Sequence, residues 1–277
     1  MPELPEVETI SRSLNDLVKG RRVATAKLLR GRLAPDTTPQ RFARALRQAR
    51  INFVHRRGKH ILFDLDNRKT LIVHLRMSGR FSLLDAEDEN PKFTHAIFYL
   101  DRDERLVFDD QRHFGLMKIV KTAELYEAKE LKKLAPEPFS DEFSPEYLIS
   151  VAKKTNRSLK EFLIDQTKVS GVGNIYASEA MFAAGLRPTK KTNRLTRPSI
   201  TRLYNSIRAV LREAISYADG LEIDPRNLEG SYFSANDTSG WCVYDRENEP
   251  CRKCKTPISR LKQGGRSTYF CRRCQPA

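Results

Sequence analysis

Ile61-Leu62-Phe63-Asp64-Leu65, Leu71-Ile72-Val73-His74-Leu75, Ala96-Ile97-Phe98-Tyr99-Leu100, Leu106-Val107-Phe108 and Leu116-Met117-Lys118-Ile119-Val120 are short β-prone runs. Gly, Asp-Asn and Asp-Arg segments punctuate them, and no helix-length pattern intervenes. This texture predicts an antiparallel sandwich or barrel rather than βαβ units. Upstream, Val7, Ile10, Leu14, Leu17 and Val18 fall on one helix face, with Gly20 as a stop. A second short helix is predicted to carry Phe42, Ala45, Leu46 and Ala49. From about residue 131 the period becomes helical. Pro136 and Pro138 mark a linker, and Ser144-Pro145-Glu146 reads as an N-cap with proline at the first helical position. Apolar stripes follow at Leu159, Phe162 and Leu163, from Ile175 to Ala184, and from Ile200 to Ile215. Residues 219–240 read as a polar loop.

The chain has 277 residues, a length that suggests about two domains, and 50 Lys+Arg against 35 Asp+Glu give a net charge of +15. That excess draws a protein to polyanions, with DNA, RNA and anionic membrane as the candidates. No apolar run reaches the roughly 18 residues of a membrane span. The start Met1-Pro2-Glu3-Leu4-Pro5-Glu6 lacks the layout of a signal peptide, which predicts a cytosolic protein.

Four of the five cysteines lie in the last 27 residues, as Cys251-x-x-Cys254 and Cys271-x-x-Cys274. Two such pairs supply four thiolates to one zinc ion, and four sulfur ligands leave no open position for water, so the metal is structural. Cys242 falls outside the pattern and reads as a small buried hydrophobe. Between the pairs, Ser-Arg-Leu-Lys and Ser-Thr-Tyr-Phe form a hairpin turning at Gly264-Gly265, with Arg266 just after the turn. An arginine there suits bidentate phosphate contact, or is a solvated surface residue. The same 27 residues hold eight Lys+Arg and no acid.

At the other end, proline at position 2 permits loss of Met1 and leaves a secondary amine. An α-amino group, with a pKa near 7.7–8.0, is partly uncharged at neutral pH and can attack a sugar aldehyde carbon to form a Schiff base. Glu3 beside it could move a proton. The alternative is an ordinary helix start in which Glu3 and Glu6 complement the dipole.

Three segments resemble the formamidopyrimidine-DNA glycosylase family: Met1 to Glu8; Asp165-Gln166 followed by Gly171-Val172-Gly173-Asn174-Ile175-Tyr176-Ala177-Ser178-Glu179; and the four-cysteine finger. The resemblance runs over nearly the whole chain. It implies an α+β multidomain fold: an N-terminal antiparallel β-sandwich with flanking helices (1–134), a helical helix-two-turn-helix domain (135–236) and a C-terminal zinc-finger hairpin (237–277). It implies that Pro2 attacks C1′ of the damaged nucleotide, that Glu3 is its acid/base partner, and that Lys59 assists protonation and binds a flanking phosphate. By residue type alone, Lys59 would be a strand-edge gatekeeper. Arg266 matches the finger arginine that grips phosphate and donates a proton in the final elimination. His95, Arg112, Lys160 and Asn174 match DNA-contacting residues; the alternative for His95, Lys160 and Asn174 is a cap or surface residue. Met77, Arg112 and Phe114 match the set that fills the helix when a base is flipped out; Met77 and Phe114 would otherwise be core. The implied cofactor is one structural Zn2+, with no nucleotide cofactor. The implied partner is damaged double-stranded DNA, bound without a membrane by a monomer in the bacterial cytosol and nucleoid.

Two stretches depart from the family pattern. Asp110-Gln111-Arg112-His113-Phe114-Gly115 stands where Asp-Pro-Arg-Arg-Phe-Gly is common, and the lesion loop around Glu222 and Tyr232 lacks the usual Gly-Gly-Ser/Thr-Ser/Thr segment. The preference for oxidised purines is therefore open to an endonuclease VIII-like alternative that favours oxidised pyrimidines. A non-catalytic, zinc-stabilised lesion binder is the alternative of another class.

Overall fold

The computed structural model describes residues 1–218, 224–229 and 240–277. The chain divides into two compact units, Met1–Lys132 with Tyr217–Tyr232, and Lys133–Ser216 with Phe233–Ala277.

The first unit opens with helix α1 (Leu4–Val18), followed by β1 (Arg22–Leu28), α2 (Pro39–Leu46), β2 (Ala49–Arg57), β3 (His60–Leu65), β4 (Lys69–His74), β5 (Gly79–Asp85), β6 (Thr94–Leu100), β7 (Glu104–Asp110), β8 (Leu116–Lys121) and β9 (Leu228–Glu229). The strands run in the order β8-β4-β3-β2-β1-β6-β7-β5-β9, with antiparallel pairing throughout. β3 and β5 are five places apart in that order, and strands sit about 4.8 Å apart. A flat sheet would hold them more than 20 Å apart, yet the rings of Phe63 and Phe81 are 5.7 Å apart. The sheet therefore folds over on itself, and its inner faces, with α1 and α2, bury one core that includes Ile10, Leu14, Phe42, Phe63, Phe81, Phe98 and Phe108. The hinge is thin: β1 and β2 share only the pairs Arg22–Arg50 and Val23–Ala49.

Three differences from the sequence reading stand out. Ala49 begins β2 rather than ending the second helix. β1, β2 and β5 were not predicted as strands. The exposed positions of β2 carry Arg50, Asn52 and Phe53, which dilute its apolar signal. Within the polar 219–240 loop, Leu228–Glu229 adds a strand to β5, and Leu228 is fully buried opposite Phe81.

The second unit contains α3 (Pro145–Lys153), α4 (Leu159–Ile164), α5 (Asn174–Ala183), α6 (Arg197–Ala218) and the hairpin β10 (Ile258–Gln263) and β11 (Arg266–Cys271). Ser144 caps α3 by accepting from the Tyr147 N–H at 3.1 Å, as its Ser-Pro-Glu start predicts. The finger shares a core with α5, in which Phe182 meets Val243, Cys251, Ile258, Tyr269 and Cys271. Among the described residues no helix is long and apolar enough to cross a membrane.

Candidate functional site

The N-terminus leads straight into α1. Glu3 is its N-cap and forms a capping box with Glu6, whose Oε2 accepts from the Glu3 N–H at 2.7 Å. Pro2, Glu3 and Glu6 are buried, while Met1 is 46% exposed. The helix-start reading and the chemical reading of Glu3 thus apply to the same buried carboxylate.

β2 brings Lys59 toward this corner. The Val54 N–H donates to Asn15 Oδ1 at 3.0 Å, and Arg56 Nε donates to Glu8 Oε2 at 2.6 Å. Moving up the strand therefore means moving back along α1 toward its start. One step further the chain reverses through the two-residue Gly58-Lys59 loop, since Arg57 pairs with His60. Gly58 takes a φ of +58°, the backbone such a tight hairpin asks of its first central residue. Lys59 is only 5% exposed, which is not the place of a strand-edge gatekeeper.

Met77 and Phe114 are 45% and 50% exposed, so neither belongs to the core. Arg112 lies over the Phe114 ring, 5.5 Å from its centroid. The two loops that carry them are joined beneath the surface. Asp110, fully buried at the end of β7, accepts from Ser78 Oγ at 2.5 Å, from the Arg112 N–H at 3.2 Å and from the Gly115 N–H at 2.6 Å. Sequence reading assigned no role to Ser78 or Asp110, because their significance arises only from a contact 32 residues apart. His95 is buried at 2% exposure, and its Nε2 lies 2.9 Å from Nδ1 of His113, which with Gln111 departs from the family pattern. Burial lowers the His95 pKa, with Asp110 opposing and His113 assisting.

The remaining predicted DNA contacts gather in the second unit. Asn174 opens α5, and its Nδ2 donates to the Ser267 carbonyl at 3.0 Å. That contact seats the exposed Arg266, the neighbour of Ser267, beside a helix N-terminus, where anions are favoured. Lys160 is fully buried, with its ammonium donating to the Asn174 carbonyl at 2.8 Å and to Ser178 Oγ at 3.0 Å. Gln166 stitches the turns between α4 and α5: its amide donates to the carbonyls of Ile164 and Val172, and its carbonyl accepts from Gly171 N–H, where φ is +79°. Glu179, quoted with the motif but given no role, accepts from the N–H groups of Cys242, Val243 and Tyr244 at 2.8–2.9 Å.

The sulfurs of Cys251, Cys254, Cys271 and Cys274 all lie within 4.8 Å of one another. A tetrahedron of zinc–sulfur bonds of about 2.3 Å sets sulfur separations of roughly 3.8 Å, and the pairs Cys251–Cys274 and Cys254–Cys271 stand 3.8 and 3.4 Å apart. Hydrogen bonds from Thr256 pull the Cys254 thiol down to about 6, whereas burial and the neighbouring sulfurs push Cys274 up to about 12. Four thiolates this close need a cation between them, and one structural Zn2+ fits the donor set. The hairpin turns at Gly264 and Gly265, with φ of +54° and +77°, as its sequence predicts. Glu222 and Tyr232 lie outside the described residues.

The description of the formamidopyrimidine-DNA glycosylase N-terminal domain matches residues 1–117, and that of the family's H2TH domain matches residues 134–224. That of a zinc finger found in FPG and IleRS matches residues 248–277. Proteins named formamidopyrimidine-DNA glycosylase in Bacillus licheniformis and Bacillus subtilis are each 39% identical over 281 residues, covering 99% of this chain and 99% of the relative. The Fpg of Lactococcus lactis, bound non-covalently to DNA containing an AP site, aligns with a TM-score of 0.89 at 30% identity, covering 99% of this chain and 100% of that one. The same protein with DNA containing an oxidised pyrimidine aligns with a TM-score of 0.90 at 30% identity, covering 100% of both chains. Three domain descriptions in chain order, and relatives this similar over the whole length, show that the chain belongs to the formamidopyrimidine-DNA glycosylase family.

Proposed function

We propose that this protein is a base-excision-repair DNA glycosylase and AP lyase that removes oxidised purines, 8-oxoguanine and formamidopyrimidines, from duplex DNA. The observation that carries the reading is the corner where a buried Glu3 caps α1 and the Gly58-Lys59 turn is led back toward the helix start. After Met1 is removed, the Pro2 secondary amine attacks C1′. The N-glycosidic bond breaks and the base leaves with a proton; the C1′–O4′ bond then breaks, O4′ takes up a proton, and the opened sugar is held as an iminium ion on Pro2. Glu3 and Lys59 move protons at this centre. Elimination breaks the C3′–O bond and then the C5′–O bond, with Arg266 donating a proton in the second step. Hydrolysis of the imine frees Pro2. The imine is itself the electron sink, so no nucleotide or redox cofactor enters, and zinc serves to hold the finger that presents Arg266.

Arg266 and Asn174 grip phosphate, and Lys160 supports Asn174 from below through its carbonyl. Met77, Arg112 and Phe114 fill the helix after the base leaves, and His95 with His113 supports their loop. The protein works as a monomer in the cytosol, in three parts: 1–134 catalytic, 135–236 helix-two-turn-helix and 237–277 finger.

Borohydride reduction of an incubation with 8-oxoguanine duplex tests the reading. A covalent adduct mapped to Pro2 is expected. No adduct with either 8-oxoguanine or an AP site would leave a zinc-stabilised lesion binder. A second reading, preference for oxidised pyrimidines, is favoured by the oxidised-pyrimidine DNA held by the Lactococcus lactis relative. Thymine glycol excised faster than 8-oxoguanine would establish it.

A further inference from the structure

We propose that Ser78 and Asp110 are positioning residues for base extrusion, forming a buried latch that fixes the Met77 loop against the Arg112–Phe114 loop. The proposal rests on the glycosylase reading above and deepens it.

Three separate contacts converge on one carboxylate. Asp110 Oδ1 accepts from Ser78 Oγ, the residue next to Met77, and from the N–H of Arg112; Oδ2 accepts from the N–H of Gly115, the residue next to Phe114. Ser78 Oγ also accepts from the Arg112 N–H, at 2.9 Å, so the hydroxyl is bonded to both partners. The Asp110 backbone adds to the tie, its N–H donating to the Phe93 carbonyl and its carbonyl accepting from His113 N–H.

Both loops are also closely packed. A Cβ on Gly79 would stand 2.5 Å from the Leu75 carbonyl oxygen and 2.8 Å from the Phe108 ring, and a Cβ on Gly115 would also stand 2.8 Å from that ring. The two loops thus both close on the tip of one buried phenylalanine ring. Arg76 and His113, flanking Met77 and Phe114, hold φ of +57° and +60°, a conformation that costs free energy for residues with a Cβ. Strained backbone, two exposed apolar side chains and a fully buried carboxylate beneath them are arranged at one place.

A wedge lowers the cost of unstacking only if its parts enter the helix together and at fixed spacing. Loosening the latch therefore penalises extrusion of a stacked base more than cleavage at a site that has already lost its base. Ser78→Ala removes one bond while keeping the carboxylate, and Ser78→Thr restores the hydroxyl. Asp110→Asn, which puts an amide donor against N–H donors, is the stronger variant.

The test combines three measurements on each variant: single-turnover excision of 8-oxoguanine, strand cleavage at an AP site, and stopped-flow fluorescence of 2-aminopurine beside a tetrahydrofuran site that cannot be cleaved. Ser78→Ala is expected to slow excision about tenfold, roughly the loss of one hydrogen bond to a charged group. It should slow the 2-aminopurine phase alongside, leave AP cleavage within about threefold, and be rescued by Ser78→Thr. Equal losses on both cleavable substrates, or no change in the fluorescence phase, would overturn the latch. A wild-type protein that gives the fluorescence phase but cuts neither substrate would overturn the glycosylase reading and leave the latch standing. One that gives neither signal would overturn both.

Discussion

Lys59 stands in a turn of two residues at 5% exposure, and the histidine that follows it shares its enclosure. Burial holds the His60 imidazole down at about 4; the Arg57 backbone opposes this, and the nearby cations Arg76, Arg57 and Lys59 reinforce it. The His74 ring meets it edge-on at 4.7 Å, and its pKa too is well below the usual range through burial, with His60, Arg76 and Lys59 adding to the effect. His74 Nδ1 accepts from the Arg76 N–H at 3.0 Å, so its neutral form supports the backbone just before Met77. The folded state binds a proton at His60 more weakly than the unfolded chain. Stability from this residue is therefore present above about pH 6.5 and is lost as pH falls toward about 4. At one pKa unit per roughly 1.4 kcal/mol, His60 alone should cost about 2 kcal/mol between pH 7.5 and pH 5. Urea midpoints at the two pH values check this, and His60→Gln should show the smaller difference. Unchanged pH dependence in that variant would refute it. None of this is legible in the sequence, where His60 is one histidine among five. The four cysteines are legible because their spacing alone specifies their chemistry. Asp110 and Ser78 are not, because they are defined by what folds against them.

At the scale of elements, strands with dense apolar runs were read correctly, while β1, β2 and β5 were missed. Alternation with charged and polar residues on an exposed face weakens the signal of β2, and β9 is too short to have one. α5 is legible as a helix from its apolar run, but its two anchoring contacts are not. Its start holds Asn174 against the finger, and Glu179, in its middle, pins the backbone of Cys242, Val243 and Tyr244. Burial raises the Glu179 pKa, and the three N–H groups and Arg246 pull it back down. Glu179→Ala would leave three backbone donors without their acceptor, at about 1–3 kcal/mol for each that water does not reach. A loss of about 3 kcal/mol is expected, read by chemical denaturation followed at Trp241, whose carbonyl lies in the same segment and accepts from Arg246. Glu179→Gln keeps an acceptor and should lose less. Equal stability of the alanine variant and the wild type would show that this anchor is not needed.

For the molecule as a whole, the excess of positive charge predicted a polyanion partner, and eight basic residues in the last 27 put much of it on the finger. What the charge count could not reveal is how the finger is stabilised. Cys251 and Cys271 are fully buried in a core with Phe182 of α5, whereas, among the described residues, the core of the first unit contains no finger residue. Zinc removal should therefore act on one unit. Without the metal, four thiols lose their common ligand and the packing around Phe182 loosens. The Asn174–Ser267 contact that seats Arg266 loosens with it. Calorimetry with a strong chelator should lower the transition of the second unit and leave that of the first nearly in place. DNA affinity should fall at the same time, and so should its salt dependence. Each phosphate contact contributes about 0.9 to the slope of log K against log salt, so losing Arg266 alone reduces the slope by about one, and losing the whole finger by more. Arg266→Ala with zinc retained separates the two effects, since it should reduce the slope by about one with no change in either transition. If chelation lowers both transitions equally, the metal supports the whole fold rather than the finger and α5. If it lowers neither, the cysteine cluster does not depend on zinc for its stability.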